Sequence, residues 1–471
     1  MTHVTPNGFA PSPEQLLAGF TPSFEFQPVD PLPEEEFAER LRHIRREATV
    51  AGHDVILVHA DGIGSYRTSN SFLRYICDWA REGVLVIPTD DDKPLTMFSF
   101  FSSSVLLPPF GEPVLVDDIW QIGTWGRETY NRPGRGVDRT VEAVAAHLEG
   151  AGFFSVQIGL FGDATSTPYW DGLKTRMPRC RLQQDNGTIE RMQRRRSKRE
   201  QALVRAASQL ASIGIEAAYH VTRPGVTDHE IYAAFTHAQM ARGGEWGDGY
   251  QIGINRFGTH CGKPYGHVVQ AGDLINLYIS AVTYRGYNSQ IARMIAVGDI
   301  TDKQEEVLAM CTEGVQAAAE RIRPGTLVSE IANASFEPYI RRGYLDSTDS
   351  RTMPYNWNAN EDGSPRLVPR KHVVCEDLER QGRKLMHVYP ATRGPHNPNV
   401  GHSVSMPKFQ PYNIASNNHD RLEEGMTFVL HSQWLEPEVA GCNVGDCYLV
   451  TDDGYENLSH HTPLGVHRIK A

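Results

Sequence analysis

Residues 273–297 read DLINLYISAV, TYRG, YNSQIARMIAV, and this stretch decides the fold. Two apolar runs, 273–282 and 287–297, flank a polar turn at 283–286, the signature of a hairpin. Tyr278 and Ser280 stand at i and i+2, so they share one face of the first strand. A second pair of strands is expected from GMTFVLHSQWL at 425–435 and DCYLVTDDGYENLS at 446–459. A helix–turn–helix pattern recurs in this part of the chain. The helix expected at 200–222 ends in Arg223-Pro224-Gly225-Val226, followed by Asp228, Glu230 and Ile231; the helix at 303–321 ends in Arg323-Pro324-Gly325-Thr326, followed by Ser329, Glu330 and Ile331. A Pro-Gly stop precedes a new helix start each time. Two such units about 100 residues apart imply two related halves about a pseudo-twofold axis.

Upstream, RMQRRRSKREQALVRAA at 191–207 begins as a basic run and becomes an amphipathic helix, with Ser197 and Glu200 spaced as a capping box. Before it, a helix is expected at 34–51 with Phe37, Leu41, Ile44 and Ala48 on one face. DVILVHA (54–60), GVLVIPT (83–89) and PLTMFSF (94–100) are short apolar runs bounded by Gly, Pro or Asp, as buried strands are. A helix at 138–151 and a strand at 156–161 complete an α/β pattern. The expected organisation is therefore a Pro-rich arm at 1–35, an α/β domain at 36–186 and an α+β domain at 187–471. The last contains an inserted loop at 345–395.

The chain carries 46 Lys and Arg against 57 Asp and Glu, a net charge of −11, which argues against a nucleic-acid partner. No apolar run approaches the roughly 18 residues a membrane span needs. The start of the chain has no apolar signal core, and seven scattered cysteines read as reduced thiols, so a cytoplasmic location is expected.

In their order, the helix after Ser197, the Arg-Pro-Gly turn, GDLINLYISAVTYRGYNSQIAR, VGHSVSMPKFQP, LEEGMTFVL and CYLVTDDGYENLS resemble the pita-bread (M24, creatinase–aminopeptidase) superfamily. The resemblance covers 190–471, and 35–185 is similar only in pattern. The stretch Arg242-Gly243-Gly244-Glu245-Trp246 and the hairpin length look most like the dimethylsulfoniopropionate lyase branch. The resemblance implies a pita-bread C-terminal domain behind the α/β N-terminal domain, and a homodimer acting on a small molecule. In such a dimer the Arg74, Tyr75, Asp78, Trp79 and Arg81 stretch could reach the partner's pocket.

Metal-bearing members of that superfamily hold two ions with two Asp, one His and two Glu. Carried over, those positions fall on Tyr278, Gln290, His402, His431 and Gly445, so every carboxylate is lost. His387 and His396 compete for the single histidine position. The resemblance to creatinase, which works without metal, then implies a cofactor-free enzyme with His260 as acid/base. His260 lies in GTHCGKP, 18 residues before Tyr278; creatinase's catalytic Glu, however, falls on Ala292.

The expectation is thus a metal-independent hydrolase or lyase of a small polar molecule, and not a peptidase. His260, His431, His402 and Tyr278 would be catalytic, with Gln290, Ser280, Trp79, Arg81 and Arg74 binding substrate. Imidazoles titrate near neutral pH, and a phenol and an amide can hydrogen-bond a developing oxyanion. Two other readings stand beside it: a non-catalytic binding protein, and a single-metal lyase in which His260, His402 and His431 hold one ion. Cys442 and Cys447 form a candidate thiol pair.

Overall fold

The computed structural model describes residues 11–60, 71–100, 113–123, 135–162, 166–245, 249–255, 258, 262–344, 370–371, 387–388, 399–406, 411–436 and 439–471. They fall into two compact units. One is Asp30–Gln193 with Met406–Phe409; the other is Met1–Val29, Arg194–Ser405 and Gln410–Ala471.

A helical turn, α1 (Pro13–Leu16), belongs to the second unit and is closed by a Ser12/Gln15 capping box. The first unit holds helix α2 (Glu34–Val50), strand β1 (Val55–Ala60), α3 (Ser71–Cys77), β2 (Gly83–Pro88), β3 (Thr96–Ser99) and β4 (Asp118–Gln121). Then come α4 (Arg135–Gly150), β5 (Gln157–Phe161), α5 (Thr167–Arg176), β6 (Arg181–Gln184) and α6 (Asn186–Met192). Its six strands run in the order β4-β3-β2-β1-β5-β6. Strands β1 and β2 are buried along their whole length, which is why both read as continuous apolar runs. On α2, Phe37, Ile44 and Ala48 are buried as the helical period requires, but Arg40 is buried where Leu41 was expected. Its guanidinium lies 4.2 Å from the Tyr75 ring centroid and donates to the Tyr75 carbonyl at 2.9 Å. A hydrophobicity count cannot see this, because it scores the charge and not the stem and planar face that bury it.

The second unit holds α7 (Lys198–Val221), α8 (Asp228–Met240), β7 (Gly249–Ile254), β8 (Leu274–Tyr284), β9 (Tyr287–Val297), α9 (Asp302–Ala319) and α10 (Val328–Arg341). A two-residue pair follows, β10 (Arg370–Lys371) with β11 (His387–Val388); it is all that is described of the expected insertion at 345–395. After it come β12 (Asn399–Ser403), β13 (Asn413–Ala415), β14 (Thr427–Glu436), β15 (Ala440–Val450), β16 (Tyr455–Asn457) and β17 (Val466–Ile469). The main sheet runs β13-β12-β14-β15-β9-β8-β7, with β16 on β15 and β17 parallel to β9.

The two halves repeat each other in detail. Gly225 and Gly325 both have positive φ, +92° and +86°, which side-chain-bearing residues rarely adopt. Their amides donate to Val269 and to Leu422, on the lead-in to β8 and to β14. One residue pair bridges each connection, Thr227 with Val268 and Leu327 with Arg421. The halves join where β9 meets β15, and there the ladder consists of one pair, Ala292 opposite Gly445.

The segment ahead of the first unit lies along α7 and α8. Phe20, Phe24 and Phe26 pack on Ile213, Ala217 and Ala238, and the Ser23 amide donates to Glu216 at 2.9 Å.

Candidate functional site

Register, not sequence distance, assembles the site. Tyr278 on β8 lies opposite Ala292 on β9. Ala292 lies opposite Gly445 on β15, and Gly445 opposite His431 on β14. His402 on β12 lies opposite Val429, two residues before His431. Residues directly across a ladder share a face, and so do residues two apart on one strand. Tyr278, Gln290, Ala292, Gly445, His431 and His402 therefore belong to one face of the sheet.

The side chains meet there. Gln290 Nε2 donates to Tyr278 Oη. The Tyr278 and His431 rings stand edge to face, 6.1 Å apart at 84°, and the His402 and His431 rings lie 5.7 Å apart at 64°. Tyr278 and Gln290 are buried, while His402 and His431 are half-buried. A phenol accepts and donates, so Tyr278, which accepts from Gln290, is also an O–H donor. His402 Nδ1 sits 2.9 Å from the Ser403 carbonyl, so that nitrogen carries the proton and Nε2 presents a lone pair. Burial holds the His402 pKa below its ordinary value, with the Ser403 hydrogen bond opposing. A neutral imidazole with a fixed tautomer, beside a phenol O–H donor, can accept a proton and stabilise a developing oxyanion.

His260 lies outside the described residues, as does the side chain of Ser280. The backbone of Ser280 is in β8, where the ladder with β9 shifts register between Ile279 and Val282. The ends of the His260 loop are pinned by a residue the sequence reading passed over. Asp273 takes Asn255 Nδ2 at 2.9 Å, the Gln270 amide at 2.8 Å and His267 Nε2 at 2.6 Å. Arg74, Trp79 and Arg81 are in the first unit; Arg74 and Trp79 are buried, and Arg74 Nε is 3.8 Å from Asp78. The Cys442–Cys447 pair is corrected: the two thiols have different neighbours. Cys442 lies by Cys311, and Cys447 by Ser289 and Ser208. Burial raises both pKa values, that of Cys447 to about 12, so neither is a thiolate at neutral pH.

A dinuclear centre does not fit these positions. Three of the five residues are Tyr, Gln and Gly, none of them a carboxylate. A Cβ built on Gly445 would lie 2.5 Å from the Leu430 carbonyl oxygen and 2.8 Å from His431 Cβ, so the strands leave no room for a side chain there. Among the described residues no three His, Cys, Asp or Glu are grouped so as to hold an ion; the expected three-histidine set includes His260, which lies outside them.

Residues 202–452 match metallopeptidase family M24. The chain belongs to this family. Among its relatives are an uncharacterized hydrolase/peptidase, y4tL, of Sinorhizobium fredii (26% identical; 69% of this chain, 82% of the relative) and a Xaa-Pro dipeptidase of Lactobacillus helveticus (23%; 63% and 69%). Among solved structures, the fold is similar to a Xaa-Pro dipeptidase from Bacillus anthracis, with a TM-score of 0.63, 18% identity, and 93% of this chain and all of that one covered. An X-Pro aminopeptidase from Thermotoga maritima gives a TM-score of 0.65 at 13% identity, with 91% of this chain and 99% of that one covered. These likenesses establish an M24-superfamily enzyme with a pita-bread fold.

They also overturn the expected function. The relatives are named as dipeptidases and peptidases, not as metal-independent hydrolases or lyases. The two alternatives, a non-catalytic binding protein and a single-metal lyase, gain no support, and nothing in the names points to the dimethylsulfoniopropionate lyase branch. The expectation erred by deriving a reaction from five single positions, whereas the likeness extends over half the chain. No described helix is long and apolar enough to cross a membrane.

Proposed function

We propose that this chain hydrolyses the amide bond of a small peptide-like substrate, in the first instance a dipeptide, on the face that carries Tyr278, Gln290, His402 and His431. The names of the relatives support peptide chemistry. The observation that carries the assignment of residues is the row Tyr278–Ala292–Gly445–His431. It sets a hydrogen-bond donor from one half against an imidazole from the other across a floor of two small residues.

In this reading His402 Nε2 presents its lone pair to the attacking water, directly or through the metal ion that would carry that water if the added ions prove necessary. Tyr278 O–H donates to the substrate carbonyl oxygen as it gains charge, and Gln290 holds the phenol in place. The proton taken from the water goes back from His402 to the leaving nitrogen, and His431, edge-on to both rings, holds the two side chains in place. His260 is a further acid/base group in this proposal, and the active form is a homodimer. The test is release of free amino acids from a panel of Xaa-Pro and other dipeptides, with and without added manganese, cobalt or zinc. Wild-type protein is expected to cleave at least one, and His402→Ala to lower kcat by about 10²–10⁴-fold. The reading fails if no dipeptide is cleaved under any of these conditions.

A further inference from the structure

We propose that Arg293 and Asp446 are positioning residues that set the distance between the two halves of the site. Both are buried, at 0% and 2% exposure, and Arg293 Nη2 lies 2.6 Å from Asp446 Oδ1. Neither belongs to the row of side chains described above, but each follows a member of it directly, Arg293 after Ala292 and Asp446 after Gly445. Arg293 Nη1 donates to the carbonyls of both, at 2.9 Å to Ala292 and 2.7 Å to Gly445. One planar guanidinium therefore grips the two strands at the only residue pair of their ladder.

The rest of the network holds the guanidinium in turn. Arg293 Nη2 also donates to the Thr462 carbonyl at 2.6 Å. Asn457 Nδ2 donates to Asp446 Oδ2 at 2.9 Å. On the site face, Ala292 is the cross-strand neighbour of Tyr278, and Gly445 that of His431. A shift between the two carbonyls is therefore a shift of Tyr278 against His431. A single ladder pair cannot resist it as a continuous ladder would. A fully buried charge pair is weak evidence for stability as such, since apolar replacements of both partners are often neutral. Its placement at this seam gives it a geometric task.

The test replaces both partners, Arg293→Met with Asp446→Leu, in the full-length chain labelled with ¹⁵N-histidine. The double variant is expected to fold cooperatively. Its His402 and His431 ring nitrogen signals should move while those of His53 and His267 stay in place. The activity arm rests on the hydrolase reading; the nitrogen signals do not, so they decide the inference even if no dipeptide is cleaved. Where a dipeptide substrate is found, kcat should fall by about 10–10²-fold with KM within about threefold, as misplacement of reacting groups predicts. Should the double variant not fold, Arg293→Lys decides. An ammonium keeps Asp446 paired but lacks the second nitrogen, the place of Nη1, that serves both carbonyls, so the same two signals should move. A folded variant with unmoved signals, or with moved signals and unchanged kcat on a known substrate, overturns the proposal.

Discussion

The two halves of the second unit are built from the same devices and carry different chemistry. Each has a Pro-Gly stop with a glycine at positive φ, one bridging pair to the next strand, and a long hairpin that presents one face. The first half, α7 to β9, contributes a phenol and an amide. The second, α9 to β15, contributes two imidazoles. The skeleton thus depends on glycines, caps and backbone hydrogen bonds that tolerate a change of side chain on the open face. The chemistry depends on which side chains the register brings opposite one another. The halves differ in their caps too. Thr227 and Glu230 close α8 with a complete capping box, whereas Leu327 begins α10 with no side-chain cap, although Glu330 stands in the matching place.

The comparison breaks most severely at the seam. Arg293→Met alone leaves Asp446 charged and buried, and should cost about 3–5 kcal/mol, read as a lowered urea midpoint. An unchanged midpoint would show that the halves do not depend on this contact. Tyr278→Phe removes the O–H from the first half alone. It should lower kcat by about 10²-fold, near 2.7 kcal/mol, and cost about 1–3 kcal/mol of stability, because the buried Gln290 amide loses its acceptor. A variant with full activity takes Tyr278 out of the chemistry. At the seam pair, Gly445→Ala should cost about 1–3 kcal/mol, because its Cβ would press on the Leu430 carbonyl. If it unfolds like wild type, the strands are not as close as described.

Acidity sharpens the contribution of the second half. Protonation of His402 Nε2 removes the proton acceptor, so activity should fall about tenfold per pH unit below its pKa. Burial lowers that pKa, so this limb lies below the ordinary histidine value of about 6.5. Stability moves in the same direction. The unfolded chain takes up the proton first, so stability present above the unfolded-state value is lost as pH falls through the folded-state pKa. An acid limb centred above pH 7 would assign it to another group. The smallest effects are at the caps: Thr227→Ala should cost about 1 kcal/mol, and Leu327→Thr, which completes a Thr-x-x-Glu box, should add about 0.5 kcal/mol. Equal melting temperatures for Leu327→Thr and wild type would mean that the half-buried leucine packs as well as a cap would bond.

Contiguous residues were enough to read the helices, the hairpins, the two repeating halves and the family. Apolar period, capping boxes and Pro-Gly stops are local and act within a few residues of where they are written. The four polar site residues within the described structure were legible only as positions in a likeness. Their meeting on one face depends on pairing between strands more than a hundred residues apart, and no local pattern encodes that register. For the same reason the reading missed Arg293, Asp446 and Asp273, which look like ordinary charges in or beside strands until the fold closes around them. Arg40 and Gly445 make the same point from packing. Whether a guanidinium can be buried, or a Cβ tolerated, depends on the backbone and rings that arrive from elsewhere, so tertiary structure decided both.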